Sequence, residues 1–252
     1  MSLFANEEAS HQHSLETLEM LYEYDDFMES IDTLVDLGCG RGFDLEWWAT
    51  RTTRDDSPQP LNITCVGVDI LDELPMARKY PNITYQKSDF EEAVYTAKKQ
   101  FDILWCHDSF QYVINPLQTL AKWYDIASPG GMLSISVPQT TNIHHHKLAF
   151  TQESNCYYHY TLVNIIHMLA INGWDCRNGF FLKKAQDPWI HAIVYKSDIK
   201  PMNPKTTTWF DLMEKGLLPE TADKSIYAHG ELDQRDLVLP WLDHSLSWLG
   251  QQ

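Results

Sequence analysis

A chain of 252 residues, 44% hydrophobic and 21% charged, can bury a sizeable core and does not have the composition of a disordered or fibrous protein. A net charge of −16 with no basic stripe disfavours nucleic acid as a substrate and leaves general solubility or a cationic partner as its reading. No apolar run reaches the roughly 18 residues of a membrane span, and Glu7, Glu8, Glu16 and Glu19 stand where a secretory leader would be basic, so the sequence predicts a cytoplasmic protein without membrane contact.

The acidity is concentrated early, with twelve Asp or Glu in residues 1–50 against the single cation Arg41. Within that stretch Leu18, Leu21, Tyr24 and Met28 lie near helical spacing, which predicts a helix from Ser14 to Ser30 with Ser14 as its N-cap and Glu16 in the first turn. From Thr33 the pattern changes to short apolar runs at Thr33–Leu37, Ile63–Val68, Ile83–Tyr85, Phe101–Cys106 and Met132–Val137, which suit strands buried on both faces. Helix-like stretches separate them at Phe43–Thr50, Glu91–Lys99 and Pro116–Ile126, the last ending before Ser128-Pro-Gly-Gly131, while Arg51–Pro60 reads as a surface loop. Such alternation predicts right-handed βαβ units and a parallel sheet covered by helices on both sides.

Further along, Leu162, Ile165, Ile166, Leu169 and Ala170 form one face of a helix over Thr161–Asn172, with Gly173 placed to end it in the left-handed conformation. Trp174–Phe181 and Trp189–Tyr195 then read as two strands whose short connector makes them antiparallel. Beyond Ser197 the pattern weakens to a short helix at Thr208–Lys215 and an aromatic end in Trp241 and Trp248. A lid, an oligomer contact serving a homodimer, or a clasp are the readings open to this tail. The division is therefore a helical extension over 1–32, an α/β domain over 33–197 and a C-terminal extension over 198–252.

The five cysteines are scattered without a CxxC pair, which fits a reducing compartment. Chemistry concentrates where the strands end. After the first run comes Asp36-Leu-Gly38-Cys-Gly40-Arg-Gly42, whose glycines let a ligand approach the backbone before a helix begins near Phe43. A dinucleotide fingerprint would need glycine where Phe43 stands, and a pyrophosphate is unwelcome beside Asp36, so a nicotinamide oxidoreductase is disfavoured. A ligand with an amino group and a sulfonium suits that carboxylate. Asp69 ends the second run, where it can accept from both ribose hydroxyls, with Ile70 beside it to pack on adenine. Asp89-Phe90 follows the third run, and Cys106-His107-Asp108 follows the fourth.

These residues resemble the class I S-adenosylmethionine-dependent methyltransferases over about residues 33–197, through VDLGCGRG, VGVDI, SDF, FDILWCHDSFQYV and LQTLAKWYDIASPGGMLSISVP. The resemblance implies a doubly wound, mostly parallel seven-stranded sheet whose last strand is antiparallel. It also implies that Gly38, Gly40 and Gly42 face the methionine part of the cofactor, Asp69 the ribose, and Asp89 with Phe90 the adenine, while the backbone near Cys106 closes the pocket. Two departures stand out: the stretch from Gly42 to Asp69 is long for the family, and Ser109-Phe-Gln-Tyr112 lacks the histidine that small-molecule members often carry there.

In-line methyl transfer needs alignment and exclusion of water more than it needs a base. If a base is used, His107 is nearest in the sequence, with Asp108, Gln111 and Tyr112 as orienting groups. His144, His145, Tyr157 and His159 fall where the family commonly builds its substrate pocket. Three consecutive histidines at 144–146 have no metal-ligand spacing, so no metal is expected. The reading is a methyltransferase acting on a small molecule with S-adenosylhomocysteine as product. The alternative is a regulatory protein that binds S-adenosylmethionine without transfer.

Overall fold

A computed structural model describes residues 14–23, 30–53, 56–92, 100–138, 158, 160–183 and 189–229. The expected helix Glu91–Lys99 and the residues His11, His13, His144, His145, His146, Tyr157, His159, Trp241 and Trp248 lie wholly or mainly outside them.

Seven strands form one sheet in the order β3-β2-β1-β4-β5-β7-β6. They are β1 Thr33–Leu37, β2 Thr64–Asp69, β3 Ile83–Lys87, β4 Phe101–His107, β5 Ala127–Pro138, β6 Trp174–Lys183 and β7 Trp189–Lys196. Strand β7 is antiparallel to both its neighbours and the other pairings are parallel. This is the doubly wound arrangement expected from the alternating pattern. It brings the carboxyl ends of β1 to β4 to one edge of the sheet.

Successive side chains of a strand point to opposite faces, and the two cores divide accordingly. Val35, Leu104, Cys106, Leu133 and Ile135 join one apolar cluster, which helices α4 Pro116–Ile126 and α5 Leu162–Ile171 cover with Leu120, Trp123, Ile165 and Leu169. Leu34, Ile103, Trp105 and Met132 join the other, which is completed by Leu18 and Leu21 of a helix over 14–23, here α1, and by Leu45 and Trp48 of α2 Phe43–Ala49. A short α3 Met76–Lys79 precedes β3. Among the described residues no helix is long and apolar enough to cross a membrane.

Helix α5 ends as the sequence implies, with Gly173 at φ 83°, where an added Cβ would lie 2.0 Å from the Ile199 carbonyl oxygen. Strand β5, in contrast, begins at Ala127, ahead of Met132, so Ser128-Pro-Gly-Gly131 falls inside it as an irregularity that moves the pairing from Phe101 with Ala127 to Ile103 with Met132. After α6 Trp209–Glu214 comes a helix the sequence pattern does not announce, α7 Glu220–His229, whose Asp223 accepts from Arg177 of β6 at 2.7 Å. Residues 198–229 thus pack into the domain: Leu212, Leu217, Leu218, Ala222 and Ile226 all belong to the α4–α5 side of the core.

Candidate active site at the carboxyl edge of the sheet

The glycine turn is built by positive backbone φ at Gly38, Gly40 and Gly42 (86°, 50° and 83°), followed directly by α2. Two strands hold it from either side. The amides of Gly38 and Cys39 donate to the Val68 carbonyl at 2.8 and 3.2 Å, and the Gly40 amide donates to Asp69 Oδ2 at 2.9 Å. On the β4 side, the Ser109 hydroxyl lies 3.1 Å from both the Gly38 and the His107 carbonyl oxygens.

Asp69 also accepts from the Leu71 amide through Oδ1 at 3.1 Å, which leaves each carboxylate oxygen a further lone pair for a ligand hydroxyl. Beside it Ile70 is 70% exposed and Leu71 37%, so the end of β2 presents an apolar surface to solvent. Asp89 is exposed, with Oδ1 accepting from the Glu91 amide at 2.8 Å. Phe90 leans on Trp123 and comes within 3.3 Å of where a Cβ on Gly38 would sit, so the third strand end meets the first.

Asp36 is buried beneath the turn, and burial first, then the charges of Asp44 and Asp69, raise its pKa well above the ordinary carboxylate range. Three carboxylates therefore converge on one glycine turn, and a cation placed there would be stabilised. Asp44 is partly engaged by Trp105, whose indole N–H donates to it at 2.7 Å. Burial also pushes the Cys106 thiol well up, with added contributions from Asp36 and Asp108, so Cys106 serves as packing and backbone and not as a nucleophile.

His107, the candidate base, is buried with both ring nitrogens engaged: Nδ1 lies 3.0 Å from the Ser14 hydroxyl and Nε2 2.9 Å from the Ser134 hydroxyl. Its ring stacks on Trp105 with centroids 3.8 Å apart. These contacts make it a neutral brace between α1 and the sheet, with both ring nitrogens turned to hydroxyls and neither left for the turn. Burial, with a smaller effect from His191, holds its pKa well below the usual 6.5.

The unfolded chain therefore takes up a proton that the folded chain refuses. This contribution to stability is complete above the unfolded pKa and is lost as pH falls below it. Asp36, raised in the fold, contributes with the opposite sign, so a variant comparison is needed to isolate His107. Thermal unfolding followed between pH 7 and 5 is expected to show a steeper loss of Tm for the wild type than for His107→Gln. Parallel curves would assign the pH dependence elsewhere.

Next to His107, Asp108 adopts φ 54°, a left-handed backbone that side-chain-bearing residues seldom take, and its carboxylate accepts from Gln111 Nε2 at 2.6 Å. Gln111 lies on a 3-10 turn, Phe110–Tyr112, and is 2% exposed; its Oε1 has no partner among the described residues. That oxygen is a buried acceptor available to an incoming N–H or O–H. Tyr112 and Tyr158 are exposed beside it, and the Tyr158 amide donates to the Gln111 carbonyl at 3.3 Å.

The structure thus brings Asp36, the three glycines, Asp69, Ile70, Asp89 and Phe90 to one edge, with Asp108, Gln111 and Tyr112 at its β4 end. A groove of about 570 Å3 along α4, lined in part by Ile114, Leu117, Tyr158 and Met202, contains none of the turn residues. Sequence reasoning missed Ser109, Asp44 and the hydroxyls of Ser14 and Ser134. Ser109 alone carried a signal, its place directly after Cys106-His107-Asp108.

Residues 35–135 match the family model of the methyltransferase domain. The chain is 28% identical over 118 residues to trans-aconitate 2-methyltransferase of Deinococcus radiodurans, and 29% identical over 110 residues to malonyl-acyl-carrier-protein O-methyltransferase of Halalkalibacterium halodurans. These matches take in 46% and 41% of this chain and span about two fifths of the relatives' own length, 41% and 38%. The fold is shared with the 1,6-didemethyltoxoflavin-N1-methyltransferase of Burkholderia thailandensis, solved with 1,6-didemethyltoxoflavin and S-adenosylhomocysteine bound: TM-score 0.52 and 14% identity over 72% of this chain and 76% of that one.

Proposed function

We propose that this chain, whose residues 35–135 match the family model of the methyltransferase domain, transfers a methyl group from S-adenosylmethionine to a small-molecule acceptor. The observation that carries the reading is the convergence of Asp36, Asp44 and Asp69 on the glycine turn, with Asp36 buried and its acidity suppressed. A ligand bearing an ammonium and a sulfonium relieves that arrangement, whereas a pyrophosphate would worsen it. The exposed Ile70 and the half-buried Phe90 offer the apolar surfaces an adenine needs.

When bound, S-adenosylmethionine supplies an activated methyl group that passes in line to the acceptor and leaves S-adenosylhomocysteine, while the proton of the acceptor's N–H or O–H is released to solvent. The chain's own residues bind, align and dehydrate. Asp69 holds the turn and the ribose; Asp36 balances positive charge; Asp108 fixes the amide of Gln111 so that Oε1 takes the acceptor's N–H or O–H. His107 acts one step back by bracing the strand end that carries Asp108 and Ser109. A methyl transfer organised by positioning in this way needs no strong base.

Calorimetric titration tests the reading. Both S-adenosylmethionine and S-adenosylhomocysteine are expected to bind. Because a protonated Asp36 cannot offset the sulfonium, the affinity for S-adenosylmethionine should rise with pH as Asp36 ionises, more than that for S-adenosylhomocysteine, which lacks that charge. Absence of binding by either would reject the proposal, and identical pH profiles would remove Asp36 from it.

A further inference from the structure

Helix α1 is narrower than the sheet face it lies on. Ser14 reaches His107 on β4, and Thr17, nearly one turn later, lies 3.5 Å from Nδ1 of the buried His191 on β7; beyond β7 the sheet continues to β6. In the wedge between the flank of α1 and the β6–β7 pair is a cavity of about 290 Å3. Its walls are Met20 from the helix and Phe180, Leu182 and Ile193 from the strands, where Phe180 pairs with Ile193 and Leu182 with His191. Thr17 and His191 supply its polar end, and the exposed Glu16 lies on its solvent side.

The place of this cavity relates it to the transfer site. His107, Ser136 and His191 are in register across β4, β5 and β7, so the two histidine backbones stand two strand spacings, about 10 Å, apart. Their rings come to 5.8 Å between centroids, and both are bonded to α1. The volume is near the lower end of the ~300–1,000 Å3 typical of small-molecule sites and suits one or two rings. Among the described residues neither Lys nor Arg lines it, and the Glu16 carboxylate at its rim disfavours an anion.

We propose that this cavity holds the apolar body of the methyl acceptor, and that the acceptor is a neutral or cationic aromatic molecule. The inference rests on the methyl-transfer reading and adds to it the acceptor's charge class and seat. Binding energy gained on the non-reacting body is then available to align the reacting atom at the end of β4.

The test uses tryptamine and indole-3-acetate, the same ring system with opposite charges, titrated calorimetrically into the full chain with and without saturating S-adenosylhomocysteine. Tryptamine is expected to bind saturably and at least threefold more tightly than indole-3-acetate. Filling the cavity from either side, with Met20→Trp or with Leu182→Trp, should weaken tryptamine at least tenfold and leave S-adenosylhomocysteine affinity unchanged, which also shows that the variants fold. No saturable tryptamine binding, an equal or tighter fit of indole-3-acetate, or tryptamine binding unchanged in both variants would overturn the proposal. Failure of S-adenosylhomocysteine to bind the wild type would instead overturn the underlying function, a result read independently of the tryptamine titration made without it.

Discussion

Gly38→Ala is expected to lower the affinity for S-adenosylhomocysteine at least 100-fold and to reduce Tm by about 5–15 °C. The backbone there sits at φ 86°, a conformation that costs a side-chain-bearing residue about 1–2 kcal/mol. Space is the larger obstacle, because the new Cβ would lie 2.3 Å from Ser109 Oγ and 2.5 Å from Ser109 Cβ. Ser109 cannot swing aside cheaply, since its hydroxyl bridges the Gly38 and His107 carbonyls. Overpacking of this kind adds about 1–3 kcal/mol, and for a chain of this size each kcal/mol moves Tm by about 2–4 °C. A second substitution discriminates the mechanism. Adding Ser109→Gly removes both clashing atoms and should restore part of the stability, whereas adding Ser109→Ala leaves Cβ in place and should restore little. Equal rescue by the two would show that contact with Ser109 is not the cause. Thermal melts and calorimetry on the three variants decide it.

The sheet was legible because its strands are buried on both faces, so Thr33–Leu37 and Phe101–Cys106 appear as nearly unbroken apolar runs, and the glycines after β1 and α5 mark where the chain must turn. Legibility fails where a residue's role is set by a distant partner. Ser14 looks like an N-cap because it precedes an apolar-periodic stretch, yet it is itself helical and its hydroxyl meets His107. His107 looks like a base because it ends β4, and only the folded chain brings hydroxyls from α1 and β5 to its two nitrogens. Helix α7 escapes notice for a related reason: Ala222 and Ile226 give it only a thin apolar face, and the partner of its Asp223 is Arg177, far away in the sequence. Ser128-Pro-Gly-Gly131 reads as a turn on composition and still falls within β5, since a strand irregularity and a turn draw on the same residues.

Asp69→Ala is expected to weaken S-adenosylhomocysteine about 100-fold in calorimetry, and Asp69→Asn by about tenfold. The carboxylate has two tasks that the substitutions separate. It accepts the Gly40 and Leu71 amides, fixing the turn, and its remaining lone pairs are the ones that the proposed function gives to the ribose. Alanine removes both, leaving the Gly40 N–H without its acceptor at a cost of about 1–3 kcal/mol and deleting the ribose contacts as well. Asparagine retains one oxygen for a peptide N–H, and a ribose hydroxyl can rotate to accept from the new amide, but a peptide N–H has no such freedom. One of the two backbone bonds is therefore lost in the asparagine variant while the ligand contact survives in altered form. After burial and Asp44, Asp69 adds to the effects that raise the pKa of Asp36. Its neutralisation should consequently ease the ionisation of Asp36 and move the rise of S-adenosylmethionine affinity to lower pH, an effect that loss of a ribose contact alone would not produce. If asparagine and alanine prove equally harmful, the turn and not the ribose dominates the role of Asp69; if neither matters, the cofactor does not bind across the ends of β1 and β2.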